Sequence, residues 1–126
     1  MKQFFKTYWR SLLWFSVITF ASLVNKIPLE APETGKIGID KLVHFMFYFS
    51  LSFVIFIDGY RFRPERAKWY IILLFPIVWG GLIELMQSAL TSGRSAEWGD
   101  FVADALGSLI VWFVIIPVYK NRAKSE

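Results

Sequence analysis

The residues that could do chemistry in this 126-residue chain are few, and they fall at helical spacings. Asp40, His44 and Tyr48 recur every four residues, Glu84 and Gln87 stand three apart, and Asp100 and Asp104 stand four apart with Gly107 beyond them. Residues at i, i+3 and i+4 share one helix face, so each set can point at a single neighbour. His44 is the only histidine, and a neutral imidazole near physiological pH can accept a proton or bind a metal. Paired with Glu84 or Asp100 as its orienting carboxylate, His44 could serve as a general base. With Glu84, Asp100 and Asp104 it could also offer an N/O ligand set better suited to Mg²⁺ or Mn²⁺ than to structural zinc. Arg94, in the stretch RSAEWGD, and Lys41 could contact a phosphate or carboxylate. The alternative is purely structural: a buried polar network that holds helices together. No serine-nucleophile motif, phosphate-binding glycine loop or HExxH is present, so His44, Glu84 and Asp100 stand as catalytic candidates only. No cofactor and no metal is assigned from the sequence.

The elements that must carry these groups are apolar. The chain is 56% hydrophobic and only 19% charged, more apolar surface than a small soluble domain can hide. It has no cysteine, which excludes disulfides and thiol chemistry. Its net charge of +4 does not indicate nucleic acid, because the basic residues flank apolar runs, where membrane topology accounts for them. The reading is one all-α domain over 1–126, an integral membrane four-helix bundle with spans at about 8–25, 42–60, 69–90 and 101–119. The first span is read as a retained helix rather than a cleaved signal, because its core holds aromatics and no clear A-x-A site follows. Residues 25–41, with Pro28, Pro32, Gly35 and Gly38, are expected to form a loop. Pro76 is expected to kink the third span, and Ala103 with Gly107 to allow close helix packing in the fourth.

Basic residues set the orientation. Placing both termini and the 61–68 loop in the cytoplasm puts ten Lys/Arg inside and four outside, as the positive-inside rule requires. Asp40, His44, Glu84, Gln87, Arg94, Asp100 and Asp104 then share the outer leaflet, while the inner halves of the spans read as almost purely apolar. Polar groups in lipid avoid it by facing one another, so a polar pocket open to the outer surface is expected.

The blocks DKLVHFMFY (40–48), ELMQ (84–87) and Arg94…Asp100…Gly107 together resemble the VanZ-like family of bacterial membrane proteins. Asp104 stands where that family commonly has asparagine, which adds a negative charge or a proton. The resemblance implies a multi-pass protein of the bacterial cytoplasmic membrane and cell envelope, and a link to glycopeptide susceptibility through the founding member, an accessory to teicoplanin resistance. On this reading the partners are the bilayer and a lipid-linked or amphipathic envelope molecule, with no nucleic acid. Asp40, Lys41, His44, Tyr48, Glu84, Gln87, Arg94, Asp100 and Asp104 would form the ligand site. The alternative is a membrane-embedded enzyme acting on an envelope lipid or precursor, with His44 as base.

Overall fold

A computed structural model describes residues 2–24, 33–62, 69–90 and 98–122. They form four helices: α1 (Lys2–Val24), α2 (Glu33–Phe62), α3 (Trp69–Leu90) and α4 (Trp98–Arg122). Three stretches are long and apolar enough to cross a membrane: Gly38–Tyr60 in α2, Tyr70–Ala89 in α3 and the whole of α4. Among the described residues, the interior holds as many buried polar side chains as hydrophobic ones, while Phe20 (68% exposed) and Phe113 (67%) face outward. In water that distribution would be unstable. In a bilayer it is expected, because lipid solvates the apolar faces and polar groups must find one another inside.

The buried positions follow the helical period. In the first part of α4, Trp98–Ile110, they are Asp100, Ala103, Asp104, Gly107 and Ser108, a single stripe at i, i+3, i+4, i+7 and i+8. That stripe packs on α2, and Gly107 sets the approach. A Cβ at Gly107 would fall 2.8 Å from the Phe49 amide nitrogen and closer still to the Phe45 carbonyl. Small residues permit such backbone contact between membrane helices, as Ala103 and Gly107 were expected to do. On α3, Gly80 plays a similar part: a Cβ there would lie 2.7 Å from Asp104 Oδ2 and 3.2 Å from the Tyr48 ring.

Several boundaries differ from the sequence reading. The 25–41 segment is not a loop throughout, because α2 begins at Glu33. Both prolines of that segment precede the helix, and an interior glycine costs a helix only about 1 kcal/mol against alanine. α3 keeps the expected bounds, Trp69–Leu90, with Pro76 buried inside it. α4 starts at Trp98 and carries a π-helical turn, Val111–Ile115, in which the Ile116 N–H reaches Val111 O. The wide turn comes just before Pro117, which has no N–H to give and whose ring crowds the preceding turn.

α1 lies against α2 and α3 and is fastened along its length by side-chain hydrogen bonds. Trp14 Nε1 donates to Ser50 Oγ at 2.8 Å, Trp79 Nε1 donates to Thr19 Oγ1 at 3.0 Å, and Gln87 Nε2 donates to the Ser22 carbonyl at 2.7 Å. The helix kinks at Tyr8 (φ −107°, ψ 18°). That break releases amide donors in the following turn, and the Ser11 N–H turns to Asp58 Oδ2 at 3.1 Å.

Candidate functional site

Among the described residues two polar clusters stand out, and α2 contributes to both. His44 belongs to one and Asp58 to the other, about 21 Å apart along the axis at 1.5 Å per residue.

The first cluster gathers groups from α2, α3 and α4. His44 Nδ1 lies 3.1 Å from Asp104 Oδ1 and 3.9 Å from Glu84 Oε1. Lys41 Nζ lies 3.3 Å from Asp100 Oδ1. Asp100 is 1% exposed and Asp104 0%, and Tyr48, Glu84 and Gln87 are buried beside them. Two overlapping triads have donor atoms all within 4.8 Å of one another: Asp40, His44 and Asp100, and His44, Glu84 and Asp104. Gln87 faces the other way, to α1. The cluster is therefore a convergence of four carboxylates, three of them buried, with a buried imidazole and a partly exposed ammonium. Among the described residues, the second oxygens of Asp100 and Asp104 and the Tyr48 hydroxyl, all buried, have no hydrogen-bond partner.

Such a set can hold a cation, position a proton at His44, or tie three helices together. The sequence singled out its members one by one, and the fold brings Asp40, Lys41, His44, Tyr48, Glu84, Asp100 and Asp104 to one place. Arg94, the expected anion contact, lies outside the described residues. The orienting carboxylate of His44 also differs from expectation. Asp104 makes the 3.1 Å contact, whereas Asp100 is taken by Lys41.

The second cluster corrects the expectation that the inner halves of the spans are almost purely apolar. Asp58, wholly buried in α2, accepts from Arg10 Nε at 2.8 Å through Oδ1 and from Ser11 Oγ at 2.7 Å through Oδ2. The Arg10 Nη2 contact to Oδ1 is 2.6 Å. The signal was present: a carboxylate inside the 42–60 span needs a partner by the same rule applied to Glu84 and Asp104. Arg10, counted only as a topology marker, is that partner.

Comparison with protein-family models, with curated proteins and with solved structures finds no match to this chain.

Proposed function

We propose that this chain is a VanZ-like protein of the bacterial cytoplasmic membrane and that its carboxylate–histidine cluster binds the polar head of a lipid-linked or amphipathic envelope molecule at the outer leaflet. The observation that carries this reading is the burial of Asp100 and Asp104 with His44 and Glu84, on three helices, within apolar segments. Each carboxylate there costs about 2.5–3.5 kcal/mol at mid-bilayer on insertion scales. Holding several at one place is expensive for packing alone, and intramembrane ionisable residues usually mark a site. The three sequence blocks support the family reading because Asp40, His44 and Tyr48 of the first, Glu84 of the second and Asp100 of the third come together.

On this proposal α1 is a fourth span. It reaches from the Asp58 level at Arg10 to the Gln87 level at Ser22, so it accompanies α2 and α3 across the bundle. Cysteine placed by Gly93→Cys is expected to react with an impermeant thiol reagent in intact spheroplasts, and Glu65→Cys and Lys124→Cys to stay unlabelled. The reverse pattern would turn the His44 cluster to the cytoplasm and end the outer-leaflet reading.

A second reading is an enzyme acting on an envelope lipid or precursor, and the contact that favours it is His44 Nδ1 to Asp104, which would orient the imidazole as a base. Lipid extracts from cells with and without the chain separate the two. Unchanged lipids with altered sensitivity to envelope-binding drugs are expected for the binding protein. Accumulation of one precursor in cells lacking it would replace binding by catalysis.

A further inference from the structure

Beside the Arg10–Asp58 pair, α1 and α2 part around a groove of about 350 Å³, inside the range of about 300–1,000 Å³ common for small-molecule sites. Leu13 and Trp14 wall it on α1, Phe53 and Ile57 on α2, and Trp9 and Arg10 stand at its mouth. The walls are apolar and open outward: Leu13 is 58% exposed, and Phe53 also reaches the surface. They are held in place as well. Trp14 Nε1 donates to Ser50 Oγ at 2.8 Å, which keeps that ring from folding into the space. In a membrane-spanning bundle such a groove meets acyl chains rather than water, but that alone selects no particular lipid.

Arg10 supplies the selection. Asp58 engages its Nε at 2.8 Å and its Nη2 at 2.6 Å. A guanidinium carries five N–H donors, and neither contact uses Nη1. The side chain is 36% exposed, so this second edge is accessible at the mouth of the groove while the first is locked to the protein. An arginine held in that way is suited to a phosphate.

The charge around it has the matching sign. Asp58 cancels Arg10, but Lys2 and Lys6, both exposed, precede it on α1. Tyr8 abuts Gly59 of α2, and Tyr119 of α4 meets Tyr60 edge to face, so Lys120 and Arg122 belong to the same end of the bundle. Basic residues beside a membrane span draw anionic headgroups, and Trp9 is the kind of side chain that marks the headgroup level.

We infer that this groove is a site for one anionic glycerophospholipid of the leaflet at that end of the bundle, its phosphodiester on Arg10 and an acyl chain between α1 and α2. The apolar walls continuous with Arg10 favour a lipid over free phosphate. A partner helix would have to carry a carboxylate into the bilayer to meet Arg10, whereas a lipid phosphodiester already lies at that depth. The site shares no residue with the His44 cluster and holds whichever way the bundle faces.

The test titrates the full chain, purified in detergent, with phosphatidylglycerol or with phosphatidylcholine of the same acyl chains, and reads bound lipid by native mass spectrometry. Phosphatidylglycerol should saturate at one tightly held lipid per chain, with at least about tenfold preference over phosphatidylcholine. Preincubation with excess inorganic phosphate should not displace it. Leu13→Trp fills the groove from its exposed side and should cut the preference to about twofold or less, while Leu74→Trp, similarly exposed but outside the groove, should keep it. Lys6→Gln should weaken phosphatidylglycerol binding about fivefold and carries the test if Leu13→Trp fails to fold. Asp100→Asn should leave phosphatidylglycerol bound, so failure here and failure of the proposed function are read separately. Equal affinity for the two lipids would overturn the inference. So would displacement by inorganic phosphate, or a preference that survives both Leu13→Trp and Lys6→Gln.

Discussion

Arg10→Ala is expected to destabilise the folded bundle by up to about 3–5 kcal/mol, because it leaves the buried Asp58 carboxylate without its partly exposed guanidinium partner. Asp58 is wholly buried and takes two Arg10 contacts at 2.6 and 2.8 Å. With the guanidinium gone, only Ser11 remains among its described partners, and a hydroxyl and an amide do not neutralise a carboxylate. Thermal unfolding in detergent should register a fall of more than about 10 °C, on the scale of a few degrees per kcal/mol for a domain this size. The double replacement of Arg10→Leu with Asp58→Leu should recover most of the loss, because paired removal of buried charges is often neutral or better. An Arg10→Ala protein as stable as the wild type would show that the pair contributes nothing and that α1 is held by its other bonds alone.

The second large effect is expected at Gly107. Its missing Cβ lets α4 rest on the α2 backbone between Phe45 and Phe49. Gly107→Ala places a methyl against backbone, which cannot swing aside, so an overpacking cost of about 1–3 kcal/mol is expected. Gly107→Leu should prevent α2 and α4 from docking. Because Asp104 lies one turn away on the same stripe, this change should also part it from His44. Size-exclusion chromatography and unfolding in detergent are the checks. Gly38→Ala is the control: the position is helical with nothing within 4 Å of a Cβ, and it should be neutral or stabilising by about 0.5–1 kcal/mol. Equal tolerance of leucine at 107 and alanine at 38 would remove the close helix approach from this account.

Helix identity and the candidate site were legible because both rest on local rules. A run with few charges, bounded by basic residues or glycine and proline, is read from composition, and spacing puts Asp40, His44 and Tyr48 on one face before any fold is known. What was missed depends on contacts between helices. Asp58 was passed over because it sits near the end of a span, where a carboxylate reads as interfacial, and only the fold shows Arg10 and a released Ser11 amide beside it. The kink at Tyr8 is a local adjustment with no compositional mark, whereas the π turn has one in Pro117 that the sequence reading did not use. The start of α2 was misplaced because Gly35 and Gly38 were weighted as breakers, although both fall within the helix. The role of Gly80 could not be read at all, since it concerns space left for Asp104 from a different helix.

A binding site and a packing knot differ in what remains when one member is removed. Asp100 offers the sharpest case, being buried, paired with Lys41 and outside the His44–Glu84–Asp104 triad. Native mass spectrometry of the full chain, released gently from membranes, should find an amphiphile bound to the wild type. It should be absent from Asp100→Asn, while that variant keeps the wild-type unfolding temperature. A wild type that carries no such mass, an Asp100→Asn protein that carries the same mass as the wild type, or loss of the mass together with a collapse in stability would contradict binding and leave the cluster as structural glue.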